Sequence, residues 1–345
     1  MAKAANSRIM CDLDWNKPGR QVSVLRVPQS RDDAGWGTVE IPIMVTAGSE
    51  ARGKGPTVLF TGGVHGDEYE GQIAISRLAR SLDPRRLKGR VIMIPAVDLP
   101  AALAGRRLCP LDNRDLNRCF PGDPRGTFCQ MLAHYIDSVI LPMVDVSVDV
   151  HSAGHSADSA LSTNMHHRAD ATTMKRTLAL AAAFGAPYNV VFWGVDEGAT
   201  LTSSVERRQI LSIGTELGGY GRVSVDGVRV AERGLANVLK HLGMIAGKPE
   251  TAQADGAAGT RHMMVRDNVA YTFCPAEGLF EPRHTAGTSV KKGATAGLVH
   301  FVEDPSREPI ELKYRQSGVL WMAMGPGRCR KGDTLAVVMR DYEGG

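Results

Sequence analysis

Between residues 57 and 245, short β-type runs alternate with amphipathic helical stretches, and no other feature of the chain constrains its fold as tightly. Thr57-Val-Leu-Phe-Thr61 is an apolar run closed by Gly62-Gly63, after which Ile75, Leu78, Ala79 and Leu82 recur at helical spacing. Arg90-Val-Ile-Met-Ile94 predicts a second strand, stopped by Pro95. Phe128, Met131, Leu132, Tyr135, Ile136, Val139 and Ile140 line one face of a helix predicted over 128–141. Strict alternation in Val144-Asp-Val-Ser-Val-Asp-Val150 predicts another strand, and Ile210-Leu-Ser-Ile213 leads towards Glu216. Leu235, Val238, Leu239 and Leu242 mark a last helix over 231–243. This order implies an α/β domain on a mixed, largely parallel sheet flanked by helices.

At 345 residues the chain exceeds one typical domain. The small, polar stretch Gly247-Lys-Pro-Glu-Thr-Ala-Gln-Ala-Asp-Gly-Ala-Ala-Gly259 reads as a linker. It separates a catalytic domain over 1–246, whose first 50 residues are a β-type extension, from a smaller all-β domain over 261–345, with the linker placed at 247–260. In the β region, Ala286-Gly-Thr-Ser-Val-Lys-Lys-Gly-Ala-Thr-Ala-Gly-Leu-Val299 recurs as Gly325-Pro-Gly-Arg-Cys-Arg-Lys-Gly-Asp-Thr-Leu-Ala-Val-Val338. In both copies a basic pair and a glycine make a turn before an apolar strand. The repeat suggests a pseudo-symmetric β-barrel or sandwich resembling biotinyl/lipoyl-type domains. No Met-Lys-Met attachment turn is present, so its role is read as structural.

A net charge of +4 from scattered basic residues leaves no footprint for nucleic acid and no polybasic membrane patch. There is no run of eighteen apolar residues and no apolar signal core behind the N-terminus, so the expected compartment is the cytoplasm. The six cysteines form no Cys-x-x-Cys pair. Cys109, Cys119 and Cys129 stand ten apart, a spacing that matches no metal or redox motif and predicts free thiols.

The chemistry begins at His65-Gly-Asp-Glu68, a histidine and a carboxylate three apart at a strand-to-helix junction. Zinc takes nitrogen and oxygen ligands, and a catalytic site keeps a position open for water. His151, directly after the strand ending at Val150, is the leading third ligand; His155, four residues on, competes but lies in a Ser/Ala/Gly-rich loop. Ligands of open parallel sheets gather beyond the carboxyl ends of strands, where His65, Glu68, His151 and Glu216 are all expected. His166-His167-Arg168 could line the mouth of a site, but reads first as an exposed polar turn, and His134 and His241 read as structural helix residues.

Four motifs occur in order: Gly62-Gly-Val-His-Gly-Asp-Glu-Tyr-Glu-Gly71, Asp115-Leu-Asn-Arg-Cys-Phe-Pro-Gly122, Val148-Asp-Val-His-Ser152 and Thr215-Glu-Leu-Gly-Gly219. Through them nearly the whole chain resembles the succinylglutamate desuccinylase/aspartoacylase family, with its zinc carboxypeptidase-like fold. The resemblance implies one zinc ion (Zn2+) per subunit on His65, Glu68 and His151. It implies a substrate carboxylate on Asn117 and Arg118, and Glu216 as general base and acid. An arginine to polarise the scissile carbonyl is also expected: Arg107 is the candidate, with Arg106 and Arg114 as alternatives. The implied substrate is a small N-acyl amino acid. Cys11-Asp-Leu-Asp14, Ala34-Gly-Trp-Gly37 and Ile41-Pro-Ile43 are similar to the branch acting on N-acetyl-diaminobutyrate, while Val64 and Gly35 depart from it. Such a substrate carries a side-chain amine, for which Asp158, Asp196 and Glu197 are candidate partners. A metallocarboxypeptidase, an acyl-aspartate or succinyl-glutamate deacylase and a silent binding module are the competing readings. The missing Gly-x-Ser-x-Gly elbow argues against a serine hydrolase. Homo-oligomers are common among such enzymes, and one is expected here.

Overall fold

The computed structural model describes residues 7–49, 55–194, 198–250, 252–254 and 257–344. The expected linker therefore lies partly outside the described residues, as do Asp196 and Glu197.

Ten-residue strands β1 (Gly19–Pro28) and β2 (Thr38–Ala47) form an antiparallel hairpin at one edge of the main sheet. Inward from it come β4 (Arg90–Ile94), β3 (Thr57–Gly62), β5 (Val146–Val150), β9 (Leu211–Glu216), β7 (Ser162–His166) and β8 (Tyr188–Trp193). The pairs β3–β4, β3–β5, β5–β9 and β7–β8 are parallel, whereas β7 runs antiparallel to β9. The result is a mixed sheet with a parallel centre, as expected from the alternating pattern.

Period-two alternation sends neighbouring side chains to opposite faces. Leu59, Ile92 and Ile94 pack with Phe128, Leu132 and Ile136 on one side of the sheet. Val58, Phe60, Val91 and Met93 pack on the other side with Ile75, Leu180, Phe184 and Leu235. The first face is covered by α3 (Phe128–Tyr135); the second by α1 (Tyr69–Ser81), α4 (Ala171–Phe184) and α6 (Val225–His241). The helix expected over 128–141 departs from α geometry after Tyr135, continuing as a π turn (Ile136–Ile140) and a 3-10 turn (Leu141–Met143). Pro142, which lacks an N–H, sits in that last turn.

The elements between 151 and 209 left little trace in the pattern. In α4 the buried stripe is diluted by alanines, and α5 (Leu201–Arg207) spans less than two full turns, with Thr200 at its N-cap accepting from Ser203 N. Two short elements complete this half: β6 (Ala157–Ser159) and α2 (Leu99–Ala104).

Beyond a two-residue hairpin, β10 (Gln253–Ala254) and β11 (Ala257–Ala258), the structure is β with one 3-10 turn. Strand β12 (Arg261–Arg266) lies parallel beside β8, so the main sheet continues into this region. It runs on through β20 (Thr334–Asp341), β18 (Gly318–Met324) and β15 (Ser289–Val290), with β13 (Tyr271–Phe273) on β20 and β6 on β18, giving fourteen strands. Strands β14 (Gly278–Pro282), β16 (Thr295–His300), β17 (Ile310–Lys313) and β19 (Arg328–Cys329) form a separate antiparallel sheet of four. The internal repeat is visible: a two-residue strand, a turn with glycine at positive φ (Gly293 and Gly332) and a longer strand occur in both copies. The turns share one hydrogen bond, Ala294 N to Lys291 O and Asp333 N to Arg330 O. Among the described residues, no helix is long and apolar enough to cross a membrane.

Candidate active site

The parallel strands β3, β5 and β9 lie side by side, so their carboxyl ends open on one patch. His65 follows β3 after a short glycine turn, His151 directly follows β5, and Glu216 is the last residue of β9. Glu68 is the N-cap of α1 and makes no capping hydrogen bond with its side chain, which turns to the histidines instead. Close packing holds this junction together. A Cβ on Gly71 would lie 2.7 Å from Val150 O, and one on Gly66 would lie 2.0 Å from the Ala101 carbonyl carbon. Glycine lets α1 lie against β5 and brings Glu68 to His151.

His65 Nδ1 is 2.7 Å from Glu68 Oε1, and His151 Nδ1 is 2.7 Å from Glu68 Oε2. Each ring turns its other nitrogen to a second carboxylate: His65 Nε2 is 3.1 Å from Asp115 Oδ1, and His151 Nε2 is 2.8 Å from Asp149 Oδ2. Thr61 donates to Asp149 Oδ1, and Thr215 Oγ1 accepts from His151 N. Such carboxylates fix the ring orientation and tautomer of metal-ligating histidines. Sequence reasoning did not single out Asp115 and Asp149. Asp149 carried a signal, because two residues before His151 on a strand is the same face.

Charge follows geometry. Although burial alone would lower it, the pKa of His65 is raised by Glu68 and Asp115, and that of His151 more strongly by Asp149 and Glu68. Glu68 is held below the usual carboxylate range by the two imidazoles, against the opposing effect of burial. Burial, then the charge of Glu68, pushes Glu216 up to about 8, and its Oε2 is buried with no hydrogen-bond partner. A cation between the histidines and Glu68 would draw this pKa back down.

The ligand atoms of His65, Glu68 and His151 lie within 4.8 Å of one another. Two imidazole nitrogens and a carboxylate oxygen, backed by carboxylates, suit a zinc-type cation with an open position. Asp149→Asn is expected to weaken metal retention about 10- to 100-fold with the fold intact. Competition against a chelator measures this, and unchanged retention would remove Asp149 from the supporting role.

Asp115 organises the next loop. Its Oδ1 accepts from Asn117 N at the start of the 3-10 turn Leu116–Arg118, and its Oδ2 accepts from Arg107 Nη2 at 2.9 Å. Arg107 Nη1 stands 3.8 Å from Glu68 Oε1. Of the three arginines considered, Arg107 lines the cavity, whereas Arg106 and Arg114 are exposed outside its lining. The Asn117 side-chain oxygen caps α5 through Leu201 N, and the exposed Arg118 donates to Asn117 O at the rim.

A cavity of about 360 Å³ holds all seven expected site residues: His65, Glu68, Arg107, Asn117, Arg118, His151 and Glu216. Part of its wall comes from the C-terminal region, where Trp321 donates to Ser162 Oγ at 2.9 Å. His166 also lines the cavity, so the site-mouth reading holds for it over the exposed-turn reading that was favoured. It ends β7 and lies half-buried, with Nδ1 2.9 Å from Glu206 Oε2. His155 stays out of the donor set; its ring faces Asp67 at 3.0 Å and is largely exposed. Asp158 does not line the cavity.

Residues 54–242 match the profile of the succinylglutamate desuccinylase/aspartoacylase catalytic domain. The N-alpha-acetyl-L-2,4-diaminobutyric acid deacetylase of Halomonas elongata is 36% identical over 98% of this chain and 96% of its own length. A succinylglutamate desuccinylase/aspartoacylase structure from Rhodobacter sphaeroides is 62% identical, covers 98% of this chain and 100% of its own, and superposes with a TM-score of 0.94. The product-bound ectoine utilization protein of Ruegeria pomeroyi is 35% identical over 96% of this chain and 98% of its own, with a TM-score of 0.89. Strand-end histidines, a shared carboxylate and a buried acid beside them thus belong to a hydrolase. The chain is a member of the succinylglutamate desuccinylase/aspartoacylase family, a deacylase of N-acyl amino acids.

Proposed function

We propose that this enzyme hydrolyses N-alpha-acetyl-L-2,4-diaminobutyrate to acetate and diaminobutyrate, with zinc on His65, Glu68 and His151. The observation that carries the reading is the unpartnered Glu216 oxygen buried in the same cavity as the His–Glu–His donor set. The acetyl-diaminobutyrate assignment rests on similarity to the Halomonas deacetylase and the product-bound Ruegeria protein.

Bound zinc supplies Lewis acidity and lowers the pKa of water towards neutrality. Glu216 takes the proton of the attacking water and later delivers it to the departing amine nitrogen. Arg107, braced by Asp115, donates to the acyl oxygen as negative charge develops there. Arg118 and the amide nitrogen of Asn117 hold the substrate carboxylate, a planar anion suited to a guanidinium fork. The C-terminal wall closes the cavity on one side, which suits a small N-acyl amino acid better than a peptide. The free thiols fit a cytoplasmic enzyme, and a homo-oligomer remains our expectation for its assembly.

The test is hydrolysis of acetyl-diaminobutyrate, acetyl-aspartate, succinyl-glutamate and a short peptide, with zinc and after chelation. Acetyl-diaminobutyrate is expected to give the highest kcat/KM, lost on chelation and restored by zinc. Preference for another acyl amino acid overturns the substrate, and chelator-resistant turnover overturns the metal.

A further inference from the structure

Cys109, Cys119 and Cys129 come from three separate turns of chain yet meet in one place. Cys109 lies within the loop after α2, Cys119 follows the turn carrying Asn117 and Arg118, and Cys129 lies in the first turn of α3. Cys109, Cys129 and Asp98 are fully buried, and their ligand atoms lie within 4.8 Å of one another. Cys129 Sγ is 3.8 Å from Asp98 Oδ2. Two ligands on one zinc ion at a tetrahedral angle, sulfur at about 2.3 Å and oxygen at about 2.0 Å, would stand about 3.5 Å apart.

The local hydrogen bonds leave Asp98 undersatisfied. Its Oδ1 accepts from Ala101 N as the cap of α2, and its other partners are the thiols of Cys109 and Cys129, both weak donors. Among the described residues no arginine, lysine or histidine forms an ion pair with Asp98. A buried carboxylate needs a strong donor or a cation. Asp112, the other acid here, has Oδ2 accepting from Cys129 N and Oδ1 accepting from Arg114 N and, at 3.2 Å, from the Cys129 thiol. Cys129 also neighbours the half-buried thiol of Cys119, which donates to Asp115 O at 3.3 Å.

We propose that Asp98, Cys109 and Cys129 form a second, structural site for a thiophilic divalent cation such as zinc. None of the three lines the catalytic cavity, so an ion held there would tie elements together rather than reach substrate. The ion would tie the loop bearing Arg107, Asp115, Asn117 and Arg118 to α2 at one end and α3 at the other.

The test strips the full-length reduced protein of metal and reloads it with cobalt(II) alone. Two equivalents per chain and a near-ultraviolet thiolate-to-cobalt charge-transfer band are expected. C109S and C129S should each lose one equivalent and the band while keeping the other equivalent. H151A should keep the band and lose the other equivalent, so the two sites report independently. A single equivalent without the band in the wild-type protein overturns the proposal, as does a band that survives in both serine variants. Should those variants fail to fold, X-ray absorption on the wild-type zinc protein decides: sulfur at about 2.3 Å supports the site, and nitrogen and oxygen scatterers alone overturn it. A Cys109–Cys129 disulfide in the freshly purified protein also overturns it.

Discussion

Glu216→Gln lowers kcat by about 10²- to 10⁴-fold, the usual cost of losing a general base, while metal content stays unchanged. Glutamine is nearly isosteric with glutamate, and Glu216 Oε2 has no hydrogen-bond partner to lose. The side chain stands beside the His65–Glu68–His151 set without belonging to it, so the donors remain. A small change in thermal stability is therefore expected beside a large change in rate. Steady-state kinetics, elemental analysis and a melting curve on one preparation separate the two. Turnover within a few-fold of the unmodified enzyme would sink the assignment of Glu216 as base, and metal loss would move it into the ligand set.

His151→Ala has the opposite signature, with metal and activity disappearing together. The substitution removes one donor of three and leaves Glu68 Oε2 and Asp149 Oδ2 facing the space of the lost ring. The loss of affinity should exceed the roughly 10- to 100-fold expected from changing a supporting carboxylate. Two buried carboxylates without their imidazole also cost about 1–3 kcal/mol each when left unsatisfied, so the melting temperature should fall. Ser152 N still reaches Glu68 Oε2 at 3.2 Å and Thr61 still donates to Asp149, which limits that fall. Elemental analysis after gel filtration, with a zinc titration, measures the effect. Stoichiometric metal in this variant would show that His151 is not a ligand.

Much of this site was legible because strand ends can be read locally. The apolar run at 57–61 and the alternation at 144–150 place His65 and His151 at carboxyl ends before any packing is known. Asp115 was less accessible, since nothing in its neighbourhood says that it faces His65, fifty residues earlier. For His166 the exposed turn was favoured over the site mouth because strand β7 is short, and the signal of its pairing lies in β8 and β9 rather than in its own residues. The alanine-rich α4 was missed because its buried stripe is diluted by small side chains.

By itself the sequence determined the parallel centre of the sheet, the residue types of the donor set and their order along the chain, because periodicity and turn chemistry act over a few residues. Tertiary structure decided which strand ends are neighbours, so that β3, β5 and β9 bring His65, His151 and Glu216 to one cavity. It also decided that β12 adds to β8 and extends the sheet into the C-terminal region, closing one side of that cavity with Trp321. It drew Asp98, Cys109 and Cys129 into one buried cluster. These are long-range contacts, fixed by strand order and by which faces must be buried together, and no short window of sequence carries them.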